Sequence, residues 1–186
     1  MIEISNEQIE RVNIIMRNIR NGSNRVFTNA INRALLTVRS ESGREIREVY
    51  NIKQSDITSN QNMRMKRAGY NDLAGEIAFA GTVIPLIKFR VSPSRPERRM
   101  VSVAVLRDAG GKRLKSAYVA DLGLYGVGVF ERMTRKRESS MQLFGPSAAQ
   151  MMGNENVLDK VADKAQRTLD TTIDHEMNRI LRGYGG

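Results

Sequence analysis

The one histidine of the chain, His175, stands between Asp174 and Glu176, and an imidazole beside two carboxylates is the nearest approach to a metal-ligand group in the sequence. Zinc needs three or four donors converging on one point, whereas successive side chains on a helix diverge around its axis. No second histidine and no cysteine exists to complete a set. His175 therefore reads as an exposed helix residue. Asp72, Glu76, Asp121 and Glu131 share the loose acidic-plus-basic composition of metal-dependent nucleases, in which paired carboxylates hold a cation for attack on a phosphodiester. Their spacing selects nothing. Gly110-Gly111-Lys112 lacks the Gly-x-x-x-x-Gly-Lys-Ser/Thr pattern of a phosphate loop, and Gly123, Gly126 and Gly128 lack the spacing of a dinucleotide turn. The spacing of these residues selects no catalytic set, no cofactor site and no metal site.

Charge is the other chemistry available. Thirty Lys and Arg against twenty Asp and Glu give a formal net charge of +10, and a sequence pI near 10.3. Such a balance attracts polyanions, either nucleic acid or acidic protein surfaces. The basic residues are dispersed, as in Arg44/Arg47, Arg64/Lys66/Arg67 and Arg107/Lys112/Arg113/Lys115, and none of these groups forms a recognition helix. Two runs are denser: SPSRPERR, with Arg95, Arg98 and Arg99, and RMTRKRE, with Arg132, Arg135, Lys136 and Arg137. Five Phe, five Tyr and no Trp offer few platforms for stacking single-stranded bases.

The elements that carry these residues follow from the apolar periods. Ile9, Val12, Ile15, Met16 and Ile19 fall three and four apart and predict an amphipathic helix over 6–20, stopped by Asn21-Gly22-Ser23. A longer helix starts near Ser23, with Phe27, Ile31, Ala34, Leu35 and Val38 on its buried side, and runs to Val49 with a bend or break expected at Gly43. From Asn51 the period becomes two, predicting strands near 63–68, 73–80, 83–91, 100–107, 116–120, 126–132 and 140–144. Residues 92–99 read as an exposed loop and 109–112 as a hairpin turn. Gly145 frees the backbone, Pro146 takes the first helical position, and a short helix follows. The clearest helix runs from Asn154 to about Arg182, with Leu158, Val161, Ala165, Leu169, Ile173, Met177 and Ile180 or Leu181 as its stripe and Asn154 or Asn156 as its cap.

This order predicts an α+β fold: an antiparallel sheet flanked by an N-terminal helical region and a long C-terminal helix, with helices on one face of the sheet. At 186 residues, one α+β domain over 23–186 preceded by a helical arm over 1–22 suits the length. No apolar run approaches the roughly 20 residues that span a bilayer. The start, MIEISNEQIE, is acidic where a secretory signal would be basic and then apolar, and the lack of cysteine suits a reducing compartment.

Four segments taken together, NAINRALLTVRSESGREIREVYNIKQSDI at 29–57, PLIKFRVSPSRP at 85–96, VFERM at 129–133 and LFGPSAAQMM at 143–152, resemble the prophage minor tail protein Z family. The most specific elements are Asn32-Arg33, the helix exit at Tyr50 to Ile52 with Lys53, and the Gly145-Pro146-Ser147 step; the similarity covers about 25–182. The resemblance implies a non-enzymatic tail-completion protein of a long-tailed phage or prophage, acting in the virion at the head-proximal end of the tail after assembly in the host cytoplasm. Six-fold tail symmetry then implies a homo-oligomeric ring, a hexamer, that meets a tail-terminator or tail-tube protein on one side and a head-connector protein on the other, with phage DNA in its lumen. In such a ring the contact residues expected are Arg95, Arg98, Arg99, Arg132, Arg135, Lys136 and Arg137, and the N-terminal helix is free to pack on a neighbouring subunit. The charge alone leaves a second class open, a non-specific nucleic-acid-binding protein or nuclease.

Overall fold

The computed structural model describes residues 2–97, 99–123, 126–134 and 139–183. The fold is α+β, with antiparallel strands between N-terminal helices and a long C-terminal helix. The chain divides into two compact units, one made of Met1–Ser42, Arg64–Ala78 and Leu158–Gly186, the other of Gly43–Met63 and Phe79–Val157.

The first unit is built on three helices: α1 (Asn6–Ile15), the Gly22–Ser42 part of α2 (Gly22–Val49), and the part of α5 (Glu155–Leu181) from Leu158 onward. Helix α1 begins in a capping box, in which the Gln8 amide N–H donates to Ser5 Oγ at 3.2 Å and the Ser5 N–H to Gln8 Oε1 at 3.3 Å. It ends five residues before the expected Arg20, in turns that lead to Gly22. Val12 and Met16 are buried with Val26, Phe27, Ala30 and Ala34 of α2 and Leu169, Ile173, Met177 and Ile180 of α5. The N-terminal residues thus supply part of this unit's own core. On α5 the buried row is Val157, Val161, Ala165, Leu169, Ile173, Met177 and Ile180. Leu158 (47 % exposed) and Leu181 (54 %) lie off it, because a step of four back from Val161 reaches Val157.

Polar ties complete this unit. The Asn32 side chain donates to the Ala68 carbonyl and accepts from the Ala68 N–H, both at 3.0 Å, as a strand neighbour would. Lys164 reaches Glu41 at 2.6 Å, and Arg11 pairs with Asp174. Strands β1 (Met63–Lys66) and β2 (Glu76–Phe79) form a two-stranded sheet.

The second unit holds the remaining strands in small antiparallel sheets. Strands β4 (Arg90–Ser92), β5 (Val101–Ala104) and β6 (Lys112–Leu114) make one, and β7 (Ala117–Asp121), β8 (Val127–Arg132) and β9 (Ser140–Gln142) another. Strand β3 (Val83–Pro85) pairs with β10 (Phe144–Ser147). The single strand expected over 83–91 is divided by a 3-10 turn at Leu86–Lys88, directly after Pro85, which brings no N–H to a ladder. The β5–β6 register sets Val103 opposite Lys112, so the connection is longer than the turn expected at 109–112.

Two further sequence expectations are corrected in this unit. Pro146 lies in β10, not at a first helical position: the register slips between Gly145 and Ser147, which leaves Pro146 outside the ladder. Ser147 is instead the cap of helix α4 (Ala148–Met152), accepting from the Gln150 N–H at 3.1 Å while its own N–H donates to Gln150 Oε1 at 2.9 Å. Helix α2 runs through Gly43 without a break. A Cβ at Gly43 would lie 2.7 Å from Gln54 Cγ, next to the four-residue helix α3 (Gln54–Ile57). That glycine admits a close neighbour.

Candidate functional site

Three of the four segments that carry the family resemblance, 85–96, 129–133 and 143–152, meet in the second unit, whereas 29–57 begins in the first, which holds Asn32 and Arg33. Phe144 pairs with Pro85 and Gly145 with Ile84 across β10–β3. The Leu86 N–H donates to the Leu143 carbonyl at 3.0 Å, and the Leu143 N–H to the Val129 carbonyl at 2.8 Å. Gly145 faces the Phe89 ring so closely that a Cβ there would stand 2.5 Å from a ring carbon. Residues 85–89, 129–130 and 143–147 therefore form one hydrogen-bonded and packed group, with Leu86, Phe89, Val129 and Phe130 buried at its centre.

A second convergence was not legible in the linear sequence. At the end of α2 the chain is stitched to the end of β5: the Asn51 N–H donates to the Val105 carbonyl at 2.8 Å and the Arg107 N–H to the Val49 carbonyl at 2.9 Å. The Asn51 side-chain amide donates to the carbonyls of Ala104 (3.1 Å) and Leu106 (2.9 Å). This brings Arg47 of the last α2 turn beside Arg107, and Lys53, Lys88 and Arg90 line the same groove of about 440 Å³. Among the described residues, no carboxylate lines it. Lys88 pairs with Asp56 at 3.1 Å. Among the described residues, none of Arg47, Lys53, Arg90 or Arg107 has a carboxylate partner.

Of the contact residues expected from sequence, Arg95 and Arg99 are exposed in the 92–99 loop, with Arg99 Nε 3.7 Å from Glu97. Arg132 ends β8 with its guanidinium 5.7 Å from the Tyr118 ring centroid, a cation–π stack that holds the side chain along β7. Arg98, Arg135, Lys136 and Arg137 lie outside the described residues. The five groove cations form a separate set.

The carboxylates weighed for metal chemistry are dispersed. Asp72 pairs with Lys66 at 3.0 Å and accepts from the Ala74 N–H. The Lys66 ammonium holds the Asp72 carboxyl below the usual carboxylate value, and Asp72 in turn raises Lys66. Asp121 accepts from the Gly123 N–H, and Glu131 is a β8 residue. Glu176, beside His175, accepts from Asn29 (2.6 Å) and Arg179 (2.7 Å). Among the described residues no group of three or more His, Asp or Glu is placed to hold a metal ion. In the first unit a hollow of about 680 Å³ is lined by apolar side chains including Ile4, Phe27, Ile31 and Leu35, with Glu3 the one charged residue.

Comparison with known proteins finds no family model, no curated protein and no solved structure that matches this chain. Among the described residues, no helix is long and apolar enough to cross a membrane.

Proposed function

We propose that this chain is a structural virion protein that completes the head-proximal end of a long phage tail and joins it to the head, assembling there as a homo-oligomeric ring. One observation supports the reading: three of the four stretches that resemble the minor tail protein Z family, 85–96, 129–133 and 143–152, fold onto one another around Leu86, Phe89, Val129 and Gly145.

The surface of the same strands suits assembly. Val83, Val127, Met141 and Phe144 are each exposed by two fifths or more on β3, β8, β9 and β10. Apolar side chains of this kind are what subunit contacts cover. Six copies would carry about +60 in formal charge, which requires acidic partner surfaces, counterions or DNA close by. Its partners in this reading are a second copy of itself, a tail-terminator or tail-tube protein, and a head-connector protein.

The test is stoichiometric co-sedimentation. Purified chain added to tails from a lysate in which its gene is disrupted should sediment with them at about six copies per tail. A chain that stays in the supernatant contradicts the proposal.

A further inference from the structure

We propose that the groove formed by Arg47, Lys53, Lys88, Arg90 and Arg107 binds the sugar-phosphate backbone of double-stranded DNA without reading its sequence. Among the described residues, five cations share this groove, no carboxylate lines it, and four of the five have no carboxylate partner. Like charges held together repel, so the arrangement gains nothing for the fold and has its use when an anion enters. The frame is fixed, since the α2 exit and the β5 end are joined by the Asn51 and Arg107 backbone bonds. A prearranged set of donors loses less freedom on binding than a flexible loop would.

The lining also selects the partner. Ile52 and Phe89 are buried, at 6 % and 5 % exposure, so the groove presents neither an apolar anchor for a protein hot spot nor a ring for stacking an unpaired base. Asn51, a residue type that can read an adenine edge, has its amide donors committed to two backbone carbonyls. What remains is arginine forks and lysine ammoniums, which match phosphate oxygens. Contacts of that class position a duplex and carry no sequence information. The inference does not depend on the tail reading: a groove that binds DNA and a chain that fails to join tails are separate results.

The test is a fluorescence-anisotropy titration of a 30-base-pair random duplex at salt between 50 and 200 mM. Each phosphate neutralised contributes about −0.9 to the slope of log affinity against log salt, so Lys53→Gln/Arg90→Gln/Arg107→Gln should flatten the slope by about 2.7. Over that range the three contacts correspond to about a 40-fold loss of affinity that the variant no longer shows. Arg17→Gln/Arg20→Gln, exposed in the first unit and outside the groove, serves as the control and should keep the natural slope. A groove variant with the unaltered slope overturns the proposal. A second measurement needs no variant: acetylation of Lys53 and Lys88 on the natural chain should slow when the duplex is bound. Equal acetylation with and without bound duplex overturns it, as does protection by poly-glutamate but not by DNA.

Discussion

Replacing Gly145 by alanine tests the packing at the centre of the second unit. The added Cβ would stand 2.5, 3.0 and 3.1 Å from three carbons of the Phe89 ring, where ordinary contact begins near 3.4 Å. Phe89 is 5 % exposed, so its ring is packed where the added Cβ would press on it. Strain of this kind in a packed site costs about 1–3 kcal/mol. For a chain of this length that corresponds to a fall in Tm of roughly 2–12 °C. Shortening the partner separates this clash from a general effect of alanine. Phe89→Leu alone removes ring contacts and destabilises, but in Gly145→Ala/Phe89→Leu the clash has lost its partner, so the double variant should be more stable than the sum of the singles by about 1 kcal/mol or more. Urea denaturation followed by circular dichroism gives the cycle. Amide exchange at Leu143, which donates to Val129 beside the ring, reports locally. A Gly145→Ala protein within about 0.5 kcal/mol of the natural one, or strictly additive variants, would refute the reasoning.

Other outcomes follow from single contacts. Ser147→Ala removes the oxygen that accepts the Gln150 N–H and should cost about 1 kcal/mol, whereas Ser147→Asp, which keeps an acceptor, should cost less in the same melts. On α5, Ile173→Ala opens a cavity in the first unit's core and should cost about 2–5 kcal/mol. Leu158→Ala, on the exposed side, should stay within about 0.5 kcal/mol; equal costs would mean that the helix face is misassigned. The Asp72–Lys66 pair makes a pH prediction of definite sign. Because the folded Asp72 value lies below its ordinary 3.8, the stabilisation is complete above that value and is lost as pH falls through the folded one. An NMR titration should show the Asp72 carboxyl titrating low, and returning upward in Lys66→Met.

The long helices were legible because one buried face repeats over many turns: Val161, Ala165, Leu169, Ile173 and Met177 leave little freedom to the assignment. Errors came where a single residue decides a boundary. Leu158 and Val157 are equally apolar, and only the phase carried back from Val161 distinguishes them. Pro146 fits either a helix start or an unpaired strand position, and the Ser147–Gln150 box settled it as the latter. Gly43 suggested a break by its propensity, but the approach of Gln54 is a tertiary fact that no local window contains. The groove was hidden for the same reason. Arg47 and Arg107 are sixty positions apart in number, and they meet through the pairing of Tyr50 with Leu106, which alternation alone does not reveal. The dense runs stand out instead, because adjacency in sequence is the only clustering that a chain displays before it folds.

The central claim is that this chain joins tails to heads, and the most direct measurement is an electron-microscope count of particles in a lysate of the phage with this gene disrupted. The account predicts filled heads and full-length tails lying separate, with joined virions restored when the purified natural chain is added. Joined virions at the normal frequency without the chain would contradict it.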